Sequence, residues 1–335
     1  MRIAVLGTGR MGAYRAEWLA RHSSVERVLV GSRDAGRAEA VAAAAGGDGG
    51  LVEDVLGERL DAVVVSSSTG DHAAQIAAVA ELRVPILCEK PIAMTLADTR
   101  RALDVAARAG ATLQVSFQRR FDPGFAEARR LAADGSLGTL YCLHLTSHDH
   151  EPSPERYVPT SGGIFRDLLV HDFDVARWLT GSEVERVYAT GAARKWERFA
   201  RHGDVDTAAV VLTMEEGLPV LVSGTRHDPS GYDFRAELFG SDDSIAVGLD
   251  ERTPLRSVER TGPEPASDPY RGFLDRFAGA FDAELRAFLE LVEGRRANPC
   301  PGEEALAALR VAVACDRSLA ERRPVDLAEV ADDAD

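Results

Sequence analysis

The stretch IAVLGTGRMG at residues 3–12 constrains this chain more than any other. A short apolar run passes into Gly7-Thr8-Gly9-Arg10-Met11-Gly12, and the amphipathic segment AYRAEWLARH follows at once. A strand, a glycine turn and a helix in that order make the first unit of a dinucleotide-binding βαβ fold. Gly7 permits the tight turn, and Gly9 lets a pyrophosphate approach the backbone. Gly12 lets the helix lie close on the sheet, with its first N–H groups facing the anion. All six residues of the loop are candidate cofactor contacts.

The next hundred residues repeat the theme. Apolar runs at 3–7, 25–31, 61–67, 84–89 and 111–117 have the continuous hydrophobicity of buried parallel strands. Between them lie Ala-rich segments at helical period, one ending on Gly110 as a C-cap. The alternation predicts an α/β doubly wound parallel sheet over residues 1–120. From 121 to 330 the pattern changes. A helix at 124–134 leads to TLYCLHLTSH, a proline-bearing loop, and a helix from about Gly163 to Thr180, with Ser161 able to cap it. Long β segments follow without helices between them, MEEGLPV joining two as a hairpin, and helices return at about 272–293 and 302–322. This half reads as an α+β domain with a large open, mainly antiparallel sheet. Residues 251–270 read as a surface loop, and the chain ends in the acidic ADDAD.

A formal charge of −15 argues against non-specific binding to nucleic acid or anionic membranes. Cys88, Cys142, Cys300 and Cys315 have no paired spacing, so they read as reduced thiols. No apolar run approaches the roughly 20 residues of a membrane span. The expectation is a soluble, cytoplasmic protein.

Of 39 Lys and Arg residues only two, Lys90 and Lys195, are lysine. Lys195 reads as surface. Lys90 lies in CEKP at the end of the fourth predicted strand, and open α/β sheets bind ligands at the carboxyl ends of their strands. A lysine can share a proton where an arginine cannot, and a Lys–Pro bond can be cis at modest cost. The segment SGGIFRDLLVHDFDVARWLTG offers a second set of groups, with Asp167 and His171 four apart on one helix face. An imidazole that takes a proton near neutral pH and a carboxylate that steadies its cation suit acid–base work. Asp172 and Asp174 lie on the next turn. About 20 residues past Gly12, where an NAD site carries an acid for the ribose 2′-hydroxyl, stand Ser32 and Arg33. A hydroxyl and a guanidinium favour a 2′-phosphate, so NADP(H) is preferred over NAD(H), with Asp34 the acid that would reverse the choice.

At these residues the chain resembles the Gfo/Idh/MocA family of NAD(P)-dependent oxidoreductases, and within it the inositol 2-dehydrogenases and related sugar dehydrogenases. The matching stretches are GTGRMG, STGDH (68–72), CEKPI, RRFDPGF (119–125), SGGIFRDLLVHDFDVARWL, GYDFRAELFG (231–240) and ELRAFLELVEG. The resemblance implies a Rossmann domain followed by an α/β domain whose open sheet builds homodimers or homotetramers. It implies a site at their junction using Lys90, Asp167 and His171. It adds Ser67, Thr69, His72, Glu89 and Lys90 to the cofactor contacts, and Arg120, Asp149 and Tyr232 to those of a polyol or sugar. Hydride would pass between the nicotinamide and a secondary alcohol or ketone while His171 exchanges the hydroxyl proton.

Three other readings compete. One is the NAD-dependent glycoside hydrolase chemistry of the same family, and one a dinucleotide-sensing regulator without catalysis. The third is a metal site on His144, His148 and His150, whose even spacing suits one strand face. The Rossmann elements explain the chain without a metal.

Overall fold

A computed structural model describes residues 1–331; the acidic end noted above falls almost wholly outside them. The described chain forms two units, one of residues 1–117 and 281–306, the other of 118–280 and 307–331. The return of 281–306 to the first unit has no counterpart in the sequence-based division at 120/121.

The first unit is built on six parallel strands. They are β1 (Arg2–Leu6), β2 (Arg27–Ser32), β3 (Asp48–Leu51), β4 (Ala62–Val65), β5 (Ile86–Glu89) and β6 (Leu113–Ser116). Their order, β3-β2-β1-β4-β5-β6, reverses direction between β1 and β4. Sequence periodicity missed β3, whose DGGL carries a single large apolar side chain. It forms because its backbone pairs in parallel with β2. The core joins Ile3, Val5, Val28, Val30, Val64 and Leu87 to Ala16 and Leu19 of the helix Arg10–Arg21. Leu285, Phe288 and Leu289, from the last turns of the helix Phe273–Val292, complete it.

The second unit carries β7 (Leu140–His148), β8 (Val184–Ala192), β9 (Thr207–Met214), β10 (Pro219–Thr225), β11 (Asp233–Gly240), β12 (Ser244–Val247) and β13 (Val325–Asp326). Their order is β12-β11-β7-β10-β9-β8-β13. All pairs are antiparallel except β7 with β10, so the sheet is mixed. Burial alternates along β9 and β10, with Ala208, Val210, Leu212, Val220 and Val222 buried. Tyr141, Tyr188, Val211 and Leu221 lie exposed on the other face, as period-2 alternation requires. Residues 251–270 contain no helix or strand.

The helix expected from Gly163 is broken up. Val158–Ser161 is one short turn, Phe165–Leu169 is π-helical, and Val170–Thr180 is α-helical up to Gly181. Ser161 does not cap the long helix; its hydroxyl accepts from Gly163 N–H at 3.2 Å. The carboxylate of Asp204 takes the Ile164 N–H instead, at 2.9 Å. Among the described residues no helix is long and apolar enough to cross a membrane.

Candidate active site

The glycine loop follows β1, and each glycine has a separate reason. Gly7 has φ +123°, and a Cβ there would meet the Ser66 backbone. A Cβ on Gly12 would collide with the Gly7 carbonyl. A Cβ on Gly9 would touch nothing within 4 Å. Gly9 is thus spared a side chain on the side where nothing of the protein lies, as a closely approaching ligand requires. The helix beginning at Arg10 has no side-chain cap and no acid in its first turn, leaving its first N–H groups and partial positive charge to an anion. These residues fit a pyrophosphate.

Lys90 stands half-buried just past β5, and the Lys90–Pro91 peptide is cis. Its neighbours in the motif are held from behind. The Glu89 carboxylate accepts from Arg15 Nε at 2.7 Å. Arg15, fully buried, also reaches Glu284 at 2.8 Å and the Ser116 hydroxyl at 2.7 Å. Two carboxylates share one buried guanidinium. Burial, with Glu89 adding to it and Arg15 opposing, pushes the Glu284 carboxyl up to about 7. His72 is 1% exposed, with one ring nitrogen 2.9 Å from the Pro91 carbonyl and the other 3.2 Å from that of Ser67. Burial lowers its pKa. Ser67 donates to Gln75 at 2.7 Å, and Thr69 opens the helix Thr69–Ala80. His72 thus links the backbone carbonyls of Ser67 and Pro91, while the side chains of Glu89 and Ser67 are engaged by Arg15 and Gln75.

At the end of β2 the Ser32 hydroxyl accepts from Asp34 N–H at 3.2 Å. Asp34 caps the helix Ala35–Ala45, accepting from Arg37 N–H at 3.1 Å. The Arg33 guanidinium is exposed and lies 3.4 Å from the Asp71 carboxylate.

In the second unit Asp167 lies in the π-turn and His171 one residue into the α-helix after it. A π-turn keeps residues four and five apart on about the same side, so both project from one side of the segment. Arg226, at the end of β10 and 1% exposed, donates to Asp167 Oδ2 at 2.6 Å. Tyr157 donates its hydroxyl to Asp167 Oδ1 at 2.9 Å. Burial of that hydroxyl raises the Tyr157 pKa, and Asp167 raises it further. Asp204 lies 3.7 Å from Arg226. Burial alone would lower the Arg226 pKa, but Asp167, Asp149 and Asp204 more than offset it. Tyr232 is buried and stacked on Phe234 with ring centroids 3.9 Å apart. Its hydroxyl is pushed well above the usual range by burial and then by Asp149, so it remains protonated. Asp149, Asp167 and Tyr232, three residues named from the sequence, thus belong to one charged neighbourhood, joined by Tyr157 and Arg226.

Others stand apart. Both Nε and Nη2 of Arg120 bind Asp174, in a buried pair at 3.0 and 2.6 Å. Asp172 is buried against Arg119 at 2.8 Å and Ser147. The two extra acids after His171 therefore neutralise buried arginines. The three histidines do not converge. His144 packs on Phe239, and His150 lies beyond the end of β7, near the Asp228 carbonyl. His148 faces Asp228 and Asp233 instead, the latter held by Arg235 at 2.8 Å.

The sequence reading missed Arg226, Tyr157, Arg15 and Glu284. Arg15 had a signal, since it falls between Gly12 and Leu19 on the buried stripe of its helix. Arg226 had only its place at the end of the apolar LPVLVSGT.

A parallel sheet in this order, with an uncapped glycine-loop helix after its first strand, defines a dinucleotide-binding Rossmann protein. Residues 1–117 match the family described as "Oxidoreductase family, NAD-binding Rossmann fold", and residues 125–246 match the "GFO/IDH/MocA C-terminal domain". The chain is 34% identical to the myo-inositol 2-dehydrogenase of Thermotoga maritima, over 98% of this chain and 99% of the relative. It is 38% identical to a myo-inositol dehydrogenase of Streptomyces leeuwenhoekii, over 95% and 97%. The crystal structure of a putative myo-inositol dehydrogenase from Sinorhizobium meliloti superposes with a TM-score of 0.89 at 33% identity, covering 98% of this chain and 99% of that one. The protein belongs to the Gfo/Idh/MocA oxidoreductase family.

Proposed function

We propose that this enzyme oxidises a ring secondary alcohol of a cyclitol, of the inositol type, to the ketone, or runs the reverse reduction. When bound, the nicotinamide supplies the hydride chemistry. His171 accepts the hydroxyl proton as hydride leaves the carbinol carbon. Asp167 steadies the imidazolium, and Lys90 hydrogen-bonds the same oxygen and stabilises its developing negative charge. Asp149 and the protonated Tyr232 bind neighbouring hydroxyls. The reading is supported by Asp167 and His171, four residues apart across the π-turn and the helix after it, in a chain that matches inositol dehydrogenases over nearly all of its length.

NADP(H) is the proposed cofactor. Asp34 already caps a helix, which leaves Ser32 and the exposed Arg33 to meet a 2′-phosphate. The open face of the seven-stranded sheet, bearing Tyr141, Tyr188, Val211 and Leu221, is the proposed surface for a homodimer or homotetramer. Four free thiols support a reducing, cytoplasmic setting.

The test is absorbance at the reduced-nicotinamide band with NADP and NAD against a panel of inositols and aldoses. Turnover of an inositol is expected, faster with NADP, and Ser32→Asp should invert the preference. No inositol turnover with either cofactor would sink the substrate reading; equal or faster turnover with NAD would sink only the cofactor reading. Lys90→Ala and His171→Ala should each lose about 10²-fold or more in kcat.

A further inference from the structure

We infer that Arg226 is the positioning residue of the active site, fixing the carboxylate of Asp167 and neutralising its charge beside His171. The inference rests on the reading of Asp167 and His171 as the proton-handling pair.

A guanidinium that is 1% exposed is costly to bury unless its charge is matched. Arg226 is matched by Asp167 at 2.6 Å, with Asp204 at 3.7 Å and the Asp149 charge nearby. The same arginine is anchored at both ends. Its N–H donates to the Asp206 carbonyl at 2.8 Å, and its guanidinium lies 5.9 Å from the Phe199 ring centre. Asp206 in turn accepts the N–H groups of Arg194, Lys195 and Trp196, so the residue that receives the Arg226 N–H is itself held by three backbone donors. Asp204 ties the group to the catalytic segment, since its other oxygen holds the first N–H of that segment, at Ile164.

The geometry divides the two oxygens of Asp167. Arg226 takes Oδ2 and Tyr157 takes Oδ1, and an ionised carboxylate has lone pairs left for a further donor. Asp167 therefore enters the reaction as an oriented anion whose charge is partly balanced by a guanidinium it shares with Asp204 and Asp149. This balance limits how strongly it stabilises protonated His171. Removing the guanidinium would leave Asp167 unbalanced, strengthen the imidazolium and keep His171 protonated to higher pH. A base that must be neutral to act would then work only in more alkaline solution.

The test is kcat and KM of the full-length enzyme as a function of pH, with the inositol and cofactor identified by the panel above. Arg226→Gln is expected to lower kcat about 10²-fold, leave both KM values within about threefold, and move the acid limb of the kcat profile to higher pH. Arg226→Lys keeps the buried charge, and with it the fold. It should lose about tenfold in kcat for want of the planar fork, with the acid limb in place. A wild-type kcat in Arg226→Lys overturns the proposal even should Arg226→Gln fail to fold. So does a folded Arg226→Gln whose acid limb does not move. Wild-type activity in Asp167→Asn and His171→Ala would instead sink the underlying site. If those two fail while both Arg226 variants match wild type, this inference alone falls.

Discussion

Glu284 illustrates how much a single buried side chain can decide. Its carboxyl is raised from the ordinary range to about 7 because burial penalises the anion and Glu89 already shares Arg15. The unfolded chain loses that proton near the usual carboxylate value, well below the folded one. Folding is therefore helped while Glu284 stays protonated, and that help is lost as pH climbs from about 4.5 to about 7. Glutamine mimics the protonated acid. Glu284→Gln should match wild type near pH 5 and exceed it near pH 8 by up to about 3 kcal/mol. Melting temperatures across that range decide it: a constant gap between the two proteins would refute the assignment. Lys90 was conspicuous in the sequence because the composition made lysine rare. Glu284 was not, since one acid in an amphipathic helix looks like any other until Arg15 is seen beneath it.

The strand–turn–helix element at the N-terminus was legible almost completely, because its three glycines answer three different steric demands in sequence order. Those demands separate under mutation. Gly9→Ala adds a Cβ where nothing lies within 4 Å, so melting should be unchanged while dinucleotide affinity falls about tenfold or more. Gly12→Ala drives a methyl into the Gly7 carbonyl and should destabilise by several kcal/mol, an overpacking cost with no soft neighbour to yield. Paired calorimetry and dinucleotide titration check both; a Gly9→Ala protein that binds normally would mean the pyrophosphate lies elsewhere. The π-turn at 165–169 was illegible by contrast. Its sequence, FRDLL, has the apolar spacing of an ordinary helix, and the tertiary ties of Asp167 and Asp204 that accompany the wider turn come from residues far along the chain. Strand β3 escaped for a related reason: DGGL is held by hydrogen bonds to β2 rather than by its own side chains.

For the whole molecule, the sequence predicted both sheet types, one parallel by its continuous apolar runs and one mainly antiparallel by alternation. It did not predict that the first unit is discontinuous. Leu285, Phe288 and Leu289 fill the same core as Ile3 and Val30, and Glu284 completes the pair with Arg15. No local pattern announces where a C-terminal helix will pack. Residues 1–120 expressed alone should therefore fail to form a cooperative domain, leaving an apolar face uncovered and Arg15 half-matched. A sharp melting transition in that fragment would contradict this.

Discontinuity also has a cost in time. Phe281 follows Phe117 by 164 positions, and a ribosome adding roughly 5–20 residues per second needs about 8–33 s to cover them. Throughout that interval the nascent nucleotide-binding half waits outside the exit tunnel with its last wall unbuilt. A chain laid out this way invites chaperones to shelter the gap.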